Sequence, residues 1–253
     1  MITFGELSAA YRLLENVSYY SKDEDEYKNE RCKLDFYYPE DITDFSTVVW
    51  FHEGGLTSGE RYIPEALKEQ SIAVIAFSYR LYPKAKLPAC LEDCAAAVAW
   101  SFNNVSQYGG DQSKIYVSGH SAGGYLASMI GLDRRWLRIH NIDANNLAGI
   151  ISLSGHAITH FTIRQDRGIP ETQPIVDEYA PLYHVRNDAP DLLLITGDRE
   201  LEALGRYEEN LYMWRMMKCV GHSRTFIYEL KGSNHVNMRE GAYSILLDYV
   251  KKI

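Results

Sequence analysis

The chain has 253 residues, of which 46% are hydrophobic and 24% charged, a composition typical of globular proteins and unlike that of disordered segments. Its 26 Lys and Arg residues against 34 Asp and Glu residues give a net charge of −8 at pH 7. An acidic chain repels phosphate at long range, which argues against nucleic acids and anionic membranes as partners. Small neutral substrates remain compatible with this charge.

The cysteine pattern and the lengths of the apolar runs argue against further classes of protein. Cys32, Cys90, Cys94 and Cys219 form no CxxC pair and have no histidine at zinc spacing, so we expect reduced thiols and no metal site. The N-terminus lacks the basic start and apolar stretch of a signal peptide, and no apolar run approaches the roughly 18 residues of a membrane span. We therefore expect a soluble, cytoplasmic protein, unless a signal peptide has been removed.

Short apolar runs and helical stretches alternate along the chain. The pattern predicts a short N-terminal helix before the acidic run at residues 23–26. The predicted strands are 34–38, 47–51, 72–78, 114–118, 147–153, 191–196 and 224–230. The predicted helices are 63–70, 88–105, the stretch after Ser121, 201–220 and 238–251.

Such alternation requires crossover connections, so it predicts an α/β fold with a mainly parallel sheet and helices on both faces. We expect one domain over residues 1–253, in which the irregular segment 155–186 forms a partial lid. In sheets of this kind, ligands bind beyond the carboxyl ends of the strands, so the loops that leave each apolar run are the ones that matter.

A candidate nucleophile lies in the sequence Gly119-His120-Ser121-Ala122-Gly123, between a predicted strand and a predicted helix. G-x-S-x-G in this setting is typical of a sharp turn that projects the serine Oγ from the sheet and aims the next N–H at developing negative charge. Ser121 is therefore the expected nucleophile.

Candidate oxyanion donors follow the second strand, in His52-Glu53-Gly54-Gly55. A tetrahedral intermediate needs fixed donors, and glycine N–H groups can approach it closely because they carry no Cβ. His52 is expected to brace this loop by hydrogen bonding.

These motifs resemble those of α/β-hydrolases, in the hormone-sensitive-lipase-like and feruloyl- or acetyl-esterase-like branch that also contains kynurenine formamidases. HEGGL is similar to the HGGG-type loop, and the stretches LDFYYP, YRLYP and GHSAGG stand in the order found in that branch. The resemblance implies the α/β-hydrolase fold, no cofactor, and oxyanion donation by the N–H groups of Gly54, Gly55 and Ala122.

One residue departs from that pattern, since Glu53 stands where the family has glycine. A carboxylate that pointed into the oxyanion site would oppose the charge to be stabilised there. We expect its side chain to turn outward, toward Arg80.

The general base is expected in the loop after the last strand, where His235 alone of eight histidines stands. His222 precedes that strand and belongs to the opposite end of the sheet. The acid is expected in the loop after strand 191–196, where Asp198 and Glu200 compete. Glu200 is favoured because it occupies the G-x-x-[DE] position of similar esterases, whereas an Asp just before a helix is a common cap.

Serine, histidine, carboxylate and oxyanion donors together predict acyl transfer to water through an acyl-enzyme. The leading interpretation is a serine carboxylesterase for short acyl groups on a small-molecule ester, including acetyl or feruloyl groups on carbohydrate. An aryl formamidase or small amidase is the second interpretation, and a catalytically silent binding protein the third. The sequence does not indicate an oligomeric state.

Overall fold

A single eight-stranded sheet organises the computed structural model, which describes residues 10–22, 24–203 and 205–252. The order across the sheet is β1-β2-β4-β3-β5-β6-β7-β8. β2 is antiparallel to both of its neighbours, and every other pair of adjacent strands is parallel. The strands are β1 Tyr11–Ser18, β2 Lys33–Pro39, β3 Phe45–Phe51, β4 Ala73–Phe77, β5 Gly110–His120, β6 Gly149–Leu153, β7 Leu192–Gly197 and β8 Thr225–Leu230.

The described part of the chain contains seven α-helices. They are α1 Glu26–Arg31, α2 Ala89–Asn104, α3 Ala122–Leu132, α4 Arg134–Arg138, α5 Phe161–Asp166, α6 Arg206–Cys219 and α7 Met238–Val250. Five of them, α2, α3, α4, α5 and α6, lie between parallel strands. The mainly parallel α/β sheet predicted from the sequence is thereby confirmed.

Both faces of the central strands are buried, as their unbroken apolar runs require. In β3, Val49 and Phe51 face a core that includes residues of α2, α3 and α6. Val48 and Trp50 alternate with them and face a second core closed by α7. This arrangement leaves the carboxyl ends of the parallel strands as the edge at which loops can form a site.

Two predicted helices are wrong. Residues Tyr11–Ser18 form an edge strand paired with β2, and the part of the predicted N-terminal helix before residue 10 lies outside the described residues. Segment 63–70 contains only a 3-10 turn at Glu65–Leu67. Its helix cannot continue, because Glu69 and Ser71 have positive φ values of 56° and 59°, outside the right-handed helical region.

The predicted helix 201–220 begins later than expected, at Arg206. The residues before it form a turn in which the N–H groups of Leu201 and Glu202 donate to the carbonyl of Asp198. This turn keeps side chains close to the end of β7. A helix that began at residue 201 would have carried these side chains away from the strand.

Three of the four cysteines, Cys32, Cys90 and Cys94, are buried, and Cys219 is exposed at the end of α6. Burial raises the pKa of the Cys32 and Cys90 thiols to about 12, so they behave as small apolar side chains. Among the described residues, no helix combines the length and the hydropathy needed to cross a bilayer.

The start of α3 packs against the end of β3 with no space for a side chain. A Cβ at Gly123 would lie 2.0 Å from the carbonyl oxygen of Phe51. Backbone cannot yield here without moving β3 or α3, so this glycine fixes how closely the turn after β5 approaches the loop after β3.

Gly123→Ala is therefore expected to destabilise the fold by about 3 kcal/mol or more, the upper range for overpacking a core. Thermal unfolding followed by circular dichroism measures this loss. Gly241→Ala in α7 is the matched control, because its Cβ would meet only the flexible side chain of Leu230, at 3.2 Å. Equal unfolding temperatures for the two variants would contradict the steric argument.

Candidate active site

Ser121 lies at the turn between β5 and α3. Its φ of 56° and ψ of −118° are unusual for a residue with a side chain. Its N–H donates to the carbonyl of Leu153 at 2.8 Å, and its own carbonyl accepts from the N–H of Tyr125 at 3.0 Å. The strained turn is thus held from both sides by backbone hydrogen bonds.

His235 lies in the loop between β8 and α7 and reaches Ser121. Its Nε2 is 2.9 Å from the Oγ of Ser121, which is hydrogen-bond distance for proton transfer. The loop is fixed by His120, whose Nε2–H donates to the carbonyl of His235 at 2.8 Å. The structure therefore brings together the two residues predicted from distant parts of the sequence.

The carboxylate beside His235 is that of Glu202. Its Oε1 lies 2.5 Å from the Nδ1 of His235, and its side chain has no exposed surface. The backbone N–H groups of Gly197 and Ala203 both donate to this carboxylate at 2.8 Å. Glu202 is thus oriented by three donors, one of which is the imidazole.

The expectation that Glu200 would approach His235 is corrected by this geometry. Glu200 is exposed to solvent. Asp198 does not contact His235 either, because its carboxylate accepts from the N–H groups of Glu200 and Gly232, at 3.0 and 2.8 Å. Asp198 therefore closes the turn and ties it to the loop that carries His235.

Glu202 is ionised despite its burial. Burial alone would raise its pKa, but the hydrogen bonds from His235 and from the N–H groups of Ala203 and Gly197 outweigh this effect and lower the pKa to about 2. An ionised carboxylate at this place holds the Nδ1–H tautomer of His235 and leaves Nε2 as the proton acceptor.

The loop after β3 requires both of its glycines. Gly54 has a φ of 117°, and a Cβ there would lie 2.1 Å from the carbonyl oxygen of Ser58. Gly55 has a φ of 62° and lies against the ring of Phe161. Among the described residues, no protein acceptor contacts the N–H groups of Gly54, Gly55 and Ala122, so these donors are available to a ligand.

His52 braces this loop, as predicted. Its Nδ1–H donates to the carbonyl of Glu53 at 2.7 Å, and its ring stacks on Tyr79 with centroids 4.2 Å apart. Burial lowers the pKa of His52 to about 4, so the imidazole is neutral at physiological pH.

Glu53 does not pair with Arg80, contrary to expectation. Arg80 is held by Asp93, at 2.8 Å from both carboxylate oxygens. The carboxylate of Glu53 instead accepts from Arg239 Nη1 at 3.0 Å and from the hydroxyl of Tyr62 at 2.9 Å. A cation from the first turn of α7 thus neutralises the acidic residue of this loop.

Two other histidines lie near Ser121 without being able to act as its base. His120 is buried, and both burial and the neighbouring His235 lower its pKa to about 3. His156 is engaged through both ring nitrogens, by Glu209 and by Arg206. His222 precedes β8, at the opposite end of the sheet as expected, where its Nε2 contacts the carbonyl of Ala189.

A cavity of about 600 Å³ opens over Ser121 and His235. One wall comes from segment 155–186, which is irregular apart from α5 and a 3-10 turn at Pro181–His184. Its apolar contributions are Ile158, Phe161 and Pro174. Within the described residues, no three His, Cys, Asp or Glu side chains come together as a metal-binding group.

The sequence is similar to those of several esterases. The BD-FAE family model matches residues 34–150. Carboxylesterase NlhH of Mycobacterium tuberculosis is 36% identical over 101 residues, which are 37% of this chain and 31% of that protein. Esterase LipC of the same species is 24% identical over 210 residues, 74% of this chain and 50% of that protein. The chain thus matches half or less of the length of these relatives.

Solved structures give matches over nearly the whole chain. A truncated form of a carbohydrate esterase from gut microbiota has a TM-score of 0.78 at 17% identity and covers 98% of both chains. Esterase B from Lactobacillus rhamnosis has a TM-score of 0.74 at 20% identity, over 96% of this chain and 86% of that chain. At these identities the likeness establishes the fold.

Glu202→Gln is expected to slow the labelling of Ser121 by a fluorophosphonate probe by about 10³–10⁴-fold. The amide keeps the shape of the side chain but cannot stabilise the imidazolium that forms as Ser121 attacks. Glu200→Gln is the matched control, because Glu200 is exposed in the same turn, and it is expected to stay within about threefold of wild type. A loss in Glu200→Gln that Glu202→Gln does not show would contradict the assignment of the acid to Glu202.

Proposed function

We propose that this chain, which has the α/β-hydrolase fold and resembles the hormone-sensitive-lipase-like and feruloyl- or acetyl-esterase-like carboxylesterases, hydrolyses short-chain carboxylic esters. The observation that supports this proposal is the continuous hydrogen-bonded chain from Ser121 through His235 to Glu202. A buried, ionised acid behind an imidazole that contacts a serine hydroxyl is the arrangement that acyl transfer requires.

In the proposed mechanism, His235 Nε2 removes the hydroxyl proton as Ser121 Oγ attacks the ester carbonyl. Glu202 stabilises the resulting imidazolium through Nδ1–H without taking the proton. The imidazolium then protonates the departing alcohol, leaving an acyl-enzyme on Ser121. Water, deprotonated by His235, attacks this intermediate and releases the acid, which restores the hydroxyl of Ser121.

The N–H groups of Gly54, Gly55 and Ala122 are the proposed oxyanion donors. Gly54 and Gly55 line the same cavity as Ser121, and Ala122 begins α3, where N–H groups have no partner within the helix. Donors fixed before the reaction need no reorganisation, and losing one typically costs about 10²–10³ in rate.

Short acyl groups are proposed because the segment that covers the cleft is small. Segment 155–186 supplies a partial lid, and charged side chains that keep exposed surface interrupt the apolar wall of the cavity, among them Glu53, Glu171 and Arg239. A long hydrocarbon chain would have to desolvate these groups, which is unfavourable. Acetyl or feruloyl esters of carbohydrate fit this description and form part of the proposal.

A substrate panel tests the proposed activity. p-Nitrophenyl acetate is expected to be hydrolysed faster than a p-nitrophenyl ester of a long acyl chain, and Ser121→Ala is expected to abolish the reaction. Acetylated xylan, methyl ferulate and N-formylkynurenine in the same panel separate carbohydrate deacylation, feruloyl ester cleavage and formamidase activity. A protein that neither hydrolyses these compounds nor reacts with a fluorophosphonate would be a binding protein, and the proposal would be wrong.

The Glu53–Arg239 pair gives a second test, because Glu53 adjoins the proposed oxyanion donors. Arg239→Met is expected to lower kcat by about tenfold, since it leaves an unneutralised carboxylate beside the developing oxyanion. Glu53→Gly is expected to keep kcat within about threefold of wild type, because Arg239 already neutralises the carboxylate that this substitution removes.

The double variant Glu53→Gly with Arg239→Met separates this electrostatic effect from a loss of structure. Removing the carboxylate as well as the cation is expected to restore kcat to near the wild-type value, which a double-mutant cycle reports as coupling. Additive losses, or a large gain in rate from Glu53→Gly alone, would mean that Glu53 obstructs the site.

A further inference from the structure

A second buried oxygen contacts the imidazole of His235. Ser154 directly follows β6 and is fully buried, and its Oγ lies 2.9 Å from the Nδ1 of His235. The same nitrogen lies 2.5 Å from Oε1 of Glu202. Since Nδ1 carries one hydrogen, the two oxygens share it in a three-centre hydrogen bond.

The backbone of Ser154 is fixed in an unusual conformation. Its φ is 49°, in the left-handed region that residues with a side chain seldom adopt. Its N–H donates to the carbonyl of Ile195 in β7 at 2.7 Å, and its carbonyl accepts from Nη1 of Arg206. These bonds on both sides of the residue direct the hydroxyl at His235.

Arg206 is itself held by a buried network. It is only 4% exposed, and its Nη2 donates to Nε2 of His156 at 2.7 Å. His156 in turn donates from Nδ1 to Oε2 of Glu209 at 2.9 Å. Burial holds the pKa of His156 well below its usual value, so the ring is neutral and its tautomer is set by these partners.

The network directs the guanidinium at a backbone carbonyl. In the described part of the chain, no carboxylate lies within ion-pair distance of Arg206, although Glu209 is close enough to balance its charge through His156. Arg206 binds a backbone carbonyl and a neutral ring, so its contacts fix the positions of these groups. The carbonyl that it holds belongs to Ser154. The chain of contacts from Glu209 therefore ends at His235.

We propose that Ser154 is a positioning residue for His235, fixed by Arg206 and acting as the second acceptor for Nδ1–H. Glu202 sets the direction in which that hydrogen points. Ser154 restrains the tilt of the ring about this direction, and the restraint keeps Nε2 aligned with Ser121. The inference rests on the proposed hydrolase function, because alignment of Nε2 matters only if His235 moves a proton. No covalent step is added to the mechanism.

Steady-state kinetics test the role of the hydroxyl. Ser154→Ala is expected to lower kcat for p-nitrophenyl acetate by about tenfold with KM unchanged, the effect of losing one hydrogen bond that matters in the transition state. Ser154→Gly is expected to show the same loss, although glycine accepts the positive φ without strain. Agreement between the two variants assigns the effect to the hydroxyl.

Ser152→Ala is the matched control. Ser152 lies in β6, is 1% exposed, and donates its hydroxyl to the carbonyl of Gly124 at 3.1 Å, away from His235. Ser152→Ala removes a buried hydrogen bond, as Ser154→Ala does, but it is expected to leave kcat within about threefold of wild type. Wild-type kcat in both Ser154 variants, or an equal loss in Ser152→Ala, would overturn the proposal.

Proton NMR gives a readout that does not depend on turnover. A downfield signal from the Nδ1–H of His235 is expected in the wild-type protein, shifted in Ser154→Ala and unshifted in Ser152→Ala. An unshifted signal in Ser154→Ala would overturn the proposal even if kcat had fallen. If the wild-type protein hydrolysed no ester, the proposed function would fail, whereas the NMR comparison would still decide whether Ser154 holds His235.

Discussion

The arrangement at the strand ends depends on a buried negative charge. Glu202 has no exposed side-chain surface, so its carboxylate would be costly to keep ionised without compensation. Compensation comes from two backbone N–H groups and from His235, and it fixes the direction of the imidazole. The geometry at Ser121 follows from this one charge, because the ring that faces Glu202 with Nδ1 must face the serine with Nε2.

Three strands hold this arrangement together. β5 ends at the turn of Ser121, β7 ends at the loop of Glu202, and β8 ends at the loop of His235. Asp198 links the last two loops by accepting from the N–H of Gly232, and His120 links the turn to the histidine loop. A parallel sheet places these loops at one edge, and side-chain to backbone bonds then set distances that the sheet alone would leave loose.

Charged side chains near the site are balanced by neighbouring groups. Arg239 comes from α7 to neutralise Glu53. Arg206 and Glu209, both in α6, contact the two ring nitrogens of His156 from segment 155–186. A charge that would be unfavourable alone in the cleft is made tolerable by these contacts. The proposed ester hydrolysis and the proposed role of Ser154 both rely on these contacts, since they keep the imidazole and the oxyanion donors free of opposing charge.

Local pattern was sufficient for much of the fold. Short apolar or alternating runs predicted seven of the eight described strands, and the G-x-S-x-G turn and the position of His235 after the last strand identified two residues that meet at 2.9 Å. Local pattern was insufficient for the edge strand at Tyr11–Ser18, whose sides differ little in burial and which is defined by pairing with β2. It also predicted a helix at 63–70, where positive φ values end the turn.

The acid shows most clearly what the sequence determined and what it did not. Three acidic residues lie within five positions after β7, and the sequence placed the acid in this loop because parallel strands end at one edge of the sheet. Which of them faces His235 was decided by the turn, in which Asp198 binds backbone N–H groups and Glu200 points to solvent. The partner of Glu53 was decided in the same way, by α7 bringing Arg239 to it across 186 positions of sequence. The periodicity and the motifs of the sequence indicate at which end of the sheet a residue lies. The direction of its side chain within a loop depends on hydrogen bonds to segments far away in the chain, and only the tertiary structure supplies these bonds.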